Sequence, residues 1–263
     1  MSRSLTALLL GMLLLAGCAP AADPESASGD PSGAPYWELT PEPSETVPAV
    51  PEQVPDEANQ QPPGAGRGAR QARALLADLP SIDRHASHEP YSRSAFGSSL
   101  ADTDGNGCNQ RDDVLLRDAI PGTVRTAQQG RCDHDVLAGR WRDPYTGKLL
   151  VFDDLKNLSQ AQAIQIDHIV PLSEAWSSGA DTWTSERRRE FANYLPGLLA
   201  VDGPTNASKR DYDPAAWRPR KGFQCQYAKR WIRIKSKWGL AVDPSERRAL
   251  LEMLDYCGSP GSQ

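Results

Sequence analysis

The chemistry-bearing residues lie in two short stretches. In Ile166-Asp167-His168-Ile169-Val170-Pro171-Leu172 an aspartate and a histidine stand side by side in an apolar run. Burying such groups is costly unless each has a partner. Neighbours on a strand point to opposite faces, so both can serve one site only at a strand end or bulge. Alone, the pair favours a surface carboxylate beside a histidine that donates to a backbone carbonyl. Downstream, Leu198-Leu-Ala-Val-Asp-Gly-Pro-Thr-Asn206-Ala-Ser-Lys209-Arg210 adds an amide oxygen, and Lys209 follows it by about one helical turn. Further upstream, Asp102, Asp104, Asn106, Gly107, Gln110 and Asp113 occupy positions 1, 3, 5, 6, 9 and 12 of a calcium loop. An aspartate in place of the usual glutamate, and no clear helical pattern before the loop, favour a surface turn over a Ca²⁺ site.

Those residues need elements to hold them. Ile164 to Val170 and Leu198 to Val201 read as short strands, with a helix from Ser185 to Asn193 between them. Leu75, Leu76 and Leu79 suggest a short helix over 70–79, and a helical pattern runs from Gln110 to Ala119 until Pro121-Gly122 breaks it. Val136 to Trp141 and Lys148 to Phe152 flank a turn sequence, as in a hairpin. Phe223, Tyr227, Trp231, Ile234 and Trp238 recur at helical steps and form one apolar stripe, read as core rather than as a base-stacking surface. Gly239 stops that helix. Asp243, Pro244 and Glu246 open a second one running to Tyr256.

Taken together, Asp167-His-Ile-Val-Pro-Leu and Asn206 resemble the HNH, or ββα-metal, nucleases. Ala175-Trp176, Ser178-Gly-Ala180, Phe191-Ala-Asn193, Leu198-Leu-Ala-Val, Ser208-Lys209 and Asp213-Pro-Ala215 extend the likeness to a secreted bacterial branch, the GmrSD-like or DUF1524 endonucleases. Cys108-Asn-Gln-Arg111-Asp-Asp and Trp141-Arg-Asp-Pro-Tyr-Thr-Gly are similar to it too, so the resemblance runs from about 91 to 257. It implies His168 as general base, a role suited to an imidazole titrating near neutral pH. It implies Asp167 and Asn206 as ligands of one divalent cation, and oxygen ligands suit Mg²⁺ or Mn²⁺. Lys209, Arg210 and Arg111 become candidate phosphate contacts, with a solvated surface lysine as the equal alternative for Lys209. Two positions depart from the pattern. Gly197 stands where the middle asparagine braces the loop between the strands, with Asn193 as its candidate substitute, and Arg210 replaces a glycine.

The first seventeen residues carry Arg3 and an apolar run from Leu5 to Leu15, too short to span a bilayer, and read as a signal peptide. The run ends in Leu15-Ala-Gly-Cys18, which resembles a bacterial lipobox with Cys18 as the lipid attachment site. Residues 18–66 read as an extended acidic tether: from Ala19 to Gly66 there are eleven of the 22 prolines, nine acids and no Lys or Arg. The formal charge of −5 therefore leaves +3 for residues 67–263, with ten Lys or Arg against Asp211 and Asp213 between 209 and 237. Four further cysteines without a CxxC pair indicate two disulfides in an oxidising compartment. Three pairings are formally open. Antiparallel helices favour Cys225–Cys257, which leaves Cys108–Cys132.

The expectation is one α+β domain over 67–263, with a ββα-metal core and a disulfide-linked C-terminal helical hairpin. The protein is expected to be exported and lipid-anchored, to touch the membrane through that anchor only, and to cut DNA, with RNA as the secondary substrate, without strong sequence preference. No protein partner is expected. The alternatives are a degenerate domain binding nucleic acid or surface polyanions, and a calcium-stabilised adhesion domain.

Overall fold

The computed structural model describes residues 65–83, 89–98 and 100–258. The signal segment, Cys18, nearly all of the tether, His85 and His88 lie outside them. Among the described residues no helix is long and apolar enough to cross a membrane.

The described part begins with α1 (Ala65–Asp78), which starts inside the stretch read as tether, and passes through a 3-10 turn at Arg93–Phe96. Helix α2 (Gln110–Asp118) opens where the Asn109 side chain accepts from the Arg111 and Asp112 amides, a standard N-cap. Next come β1 (Arg125–Gln129), β2 (Cys132–Arg142) and β3 (Leu149–Phe152), an antiparallel sheet in that order. The β2–β3 hairpin was legible. Strand β1 was not, because Arg-Thr-Ala-Gln-Gln is a largely exposed edge with no apolar alternation.

Short α3 (Leu158–Ala163) leads into β4 (Ile164–His168), followed by α4 (Leu172–Ser177), α5 (Ser185–Ala192) and β5 (Leu198–Asp202). Strands β4 and β5 pair antiparallel, with Asp167 opposite Leu199 and His168 opposite Leu198. Helix α6 (Gly203–Lys209) follows directly, so β4 carries Asp167 and His168, β5 pairs with it, and α6 carries Asn206 and Lys209. A Cβ on Gly203 would lie 2.5 Å from the Gln162 carbonyl, so only glycine lets α6 start this close to α3.

The β4–β5 pair sits between two apolar clusters. Alternation turns Leu199 and Val201 toward the larger one, with Trp231, Tyr227 and Leu250, and turns Leu198 and Ala200 toward the smaller one, with Trp141 and Phe152. Helix α7 (Lys221–Trp238) buries Tyr227, Trp231 and Ile234 in the larger core, as the stripe predicts. Gly239 stops it in the left-handed region at φ 69°. Helix α8 (Pro244–Leu254) is capped by Asp243, whose carboxylate accepts from the Ser245 and Glu246 amides, and ends two residues before Tyr256. Both expected disulfides form, with Cα separations of 4.4 Å for Cys108–Cys132 and 5.0 Å for Cys225–Cys257.

Candidate active site

His168 is the last residue of β4, where the chain leaves the ladder. Its Nε2 lies 2.8 Å from the Ala192 carbonyl oxygen. A carbonyl only accepts, so Nε2 carries the proton, and Nδ1 holds the free lone pair. Burial lowers the His168 pKa, and the nearby cations Arg93 and Lys209 push the same way, while the bond to Ala192 and the charge of Asp167 oppose them. The ring is thereby held neutral and oriented, as a base must be. The carbonyl that orients it is itself fixed by its neighbour. Asn193 is buried; its Oδ1 accepts from the Ala101 amide at 2.9 Å and its Nδ2 donates to the Ser98 and Arg189 carbonyls. Asn193 therefore ties down the end of α5 rather than the loop before β5.

At Gly197 the brace is made by backbone: the Ile169 amide donates to its carbonyl at 2.9 Å. A Cβ there would come within 3.3 Å of the Tyr194 ring, so an asparagine would need that ring to move.

Asp167 faces the larger core and is 6% exposed. The Tyr145 hydroxyl donates to its Oδ2. The ammonium of Lys209, wholly buried, lies 3.0 Å from Oδ1 and 2.9 Å from Oδ2 and also donates to the His168 carbonyl at 2.9 Å. This corrects both readings of Lys209. It is neither a phosphate contact nor a solvated lysine, because the last turn of α6 dips its side chain under β4. Asn206, half-buried on the same helix, donates Nδ2 to Gln165 Oε1 at 2.9 Å, and Gln165 shares the strand face of Asp167.

Arg111 is also placed differently. Its guanidinium donates to the Ile164 and Ala161 carbonyls at 3.0–3.2 Å, so it staples the start of β4 instead of facing solvent. Arg210 is exposed and caps α6 at φ 53°, ψ −133°, a region that favours glycine, which accounts for the glycine in the resembling pattern. In the basic stretch Lys209 and Lys235 are buried counterions, and Arg210, Arg218, Arg220, Lys221, Arg233 and Lys237 remain exposed. Three contributors escaped the sequence: Tyr145, whose turn motif gave no hint of its hydroxyl, the Ala192 carbonyl, and Arg93.

Two oxygens of this set are open to a further partner. Asn206 Oδ1 accepts no hydrogen bond from the described residues. An ionised carboxylate has about four lone-pair sites, so the Lys209 and Tyr145 contacts do not exhaust Asp167. A carboxylate on β4 and an amide oxygen on α6 are the donor types that a hard cation takes.

Residues 109–253 match the family described as GmrSD restriction endonucleases, C-terminal domain. A protein of the fungus Arthroderma benhamiae, named only as an uncharacterized secreted protein, is 36% identical over 215 residues, covering 81% of this chain and 94% of its own length. The two disulfides and that relative's name accord with export. No solved structure matches. The chain belongs to the family of the GmrSD restriction-endonuclease C-terminal domain, a nuclease family.

Proposed function

We propose that the protein is a metal-dependent endonuclease of the HNH type that hydrolyses phosphodiester bonds of DNA outside the cytoplasm, with RNA as a second substrate class. The observation that carries this reading is the orientation of His168. Nε2 is tied to Ala192, and Nδ1 is left to take a proton from an attacking water. Asp167 and Asn206 would hold Mg²⁺ or Mn²⁺, which would stabilise charge on the phosphate and the leaving oxygen. Lys209 and Tyr145 fix the Asp167 carboxylate, and Asn193 fixes the carbonyl that aims His168. Exposed Arg210, Arg218, Arg220, Arg233 and Lys237 supply positive charge for sequence-independent backbone binding. The lipobox-like Cys18 would anchor the chain through the acidic tether to the outer face of the cytoplasmic membrane or the cell surface.

Gly197 favours a second reading, a domain that binds nucleic acid or surface polyanions without cutting, since the asparagine brace is missing there. Plasmid digestion by the purified chain, with Mg²⁺ and with EDTA, separates the two. Nicking that EDTA abolishes supports the nuclease. Retardation of plasmid with no nicking under any divalent ion selects the second reading.

A further inference from the structure

We infer that the loop from Asp102 to Asp113 is a Ca²⁺ site separate from the candidate active site. Its side chains follow the spacing of a twelve-residue calcium loop: Asp102, Asp104, Asn106, glycine at 107, Gln110 and Asp113. Spacing alone favoured a turn. The structure adds two buried oxygens with no hydrogen-bond partner, Gln110 Oε1 and Asp113 Oδ2, at the ninth and twelfth loop positions. Gln110 is 1% exposed and the Asp113 side chain 9%. Orphaned buried acceptors are costly, and a charged one more so. Both are held against the loop: Gln110 Nε2 donates to Thr103 Oγ1 at 2.7 Å, and Asp113 Oδ1 accepts from Asn106 Nδ2 at 3.0 Å.

The missing helix before the loop has substitutes. The Gln110 amide donates to the Leu100 carbonyl at 3.3 Å, closing the loop at its base. Cys108–Cys132 ties its middle to β2, and α2 takes over from the ninth position. Gly107, at φ 92°, leaves no room for a Cβ, which would fall 2.6 Å from the Arg131 carbonyl oxygen. Asn106 Nδ2 bridges Asp104 Oδ2 and Asp113 Oδ1, and His134 Nε2 lies 2.8 Å from the same Asp113 oxygen, so a cation in the loop would take over from these donors. Asn106 Oδ1 accepts from the Cys108 amide at 2.7 Å, and turning the side-chain amide toward an ion would exchange that bond for the ion. Several flexible oxygen ligands suit Ca²⁺, whereas Mg²⁺ demands a small, nearly ideal octahedron.

The test uses the full chain after chelator treatment and dialysis. Equilibrium dialysis with radioactive Ca²⁺ should give one ion per chain lost on mutation of the loop, with Kd on the order of 10⁻⁴–10⁻³ M, as in extracellular modules. In thermal unfolding, 10 mM Ca²⁺ should raise the parent's Tm by about 4 °C or more, while any Mg²⁺ shift that arises through Asp167 and Asn206 should be the same in the parent and in the loop variants. Asp102→Asn/Asp104→Asn and, separately, Asp113→Asn should lose the Ca²⁺ shift, while His168→Ala should keep it. An unmoved Tm and no bound Ca²⁺ in the parent chain would overturn the site. So would a Ca²⁺ shift that survives in the loop variants.

Discussion

Lys209 and Asp167 form a buried ion pair 42 residues apart in the chain, with the ammonium 0% exposed and within 3.0 Å of both carboxylate oxygens. The pair joins α6 to β4, the two elements that carry the rest of the candidate site. Removing one partner of such a pair leaves an uncompensated buried charge and typically costs about 3–5 kcal/mol. Lys209→Ala should therefore lower stability by that order in urea unfolding, with little change in the m-value. A loss below about 1 kcal/mol would return Lys209 to the surface role that the sequence suggested.

Orientation of the base gives an independent expectation. His168→Ala should reduce plasmid cleavage by about 10²–10⁴-fold while DNA retardation stays near that of the parent. Cleavage within threefold of the parent would remove His168 from the mechanism. Asn193→Ala should act more weakly and through the same ring, because it loosens the Ala192 carbonyl.

Much of this arrangement was legible from local pattern. The apolar runs around Asp167 and Leu198 announced β4 and β5, and the aromatic stripe announced the buried face of α7. What stayed hidden depends on long-range placement. Lys209 lies in a basic stretch and reads as exposed until α6 is laid across β4. Arg111 reads as a free cation until its carbonyl partners, 50 and 53 residues away, are brought to it. Tyr145 sits in a hairpin turn, and only the tertiary fold carries its hydroxyl to Asp167.

Arg210 separates strain from binding. Its backbone, at φ 53° and ψ −133°, costs of the order of 1–3 kcal/mol for a residue with a side chain, and glycine avoids most of that. Arg210→Gly should raise Tm and at the same time weaken DNA binding, with a shallower salt dependence as one phosphate contact is lost. A higher Tm with an unchanged salt slope would detach Arg210 from nucleic acid. A lower Tm would contradict the strain.

The last expectation concerns pH. Lys235, wholly buried, faces two buried carboxylates: its Nζ lies 2.7 Å from Glu174 and 2.7 Å from Glu246. One ammonium balances only one of them. Trp231 Nε1 also donates to Glu246 at 2.5 Å, and Ser178 Oγ donates to Glu174 at 2.7 Å, so neither carboxylate reaches water. Burial raises the Glu246 pKa from 4.5 to about 7; Lys235 works against that rise and Glu174 adds to it. The folded chain therefore holds a proton between those values that the unfolded chain has released, and the linkage slope is negative. Stability from this group is complete below pH 4.5 and is lost as the pH rises through about 7. Glu246→Gln mimics the protonated side chain and should remove this part of the pH dependence. Its Tm should gain on the parent's steadily from pH 5 to pH 8, with Glu174 keeping Lys235 paired. Parallel curves for the two proteins across that range would show that Glu246 stays ionised in the fold.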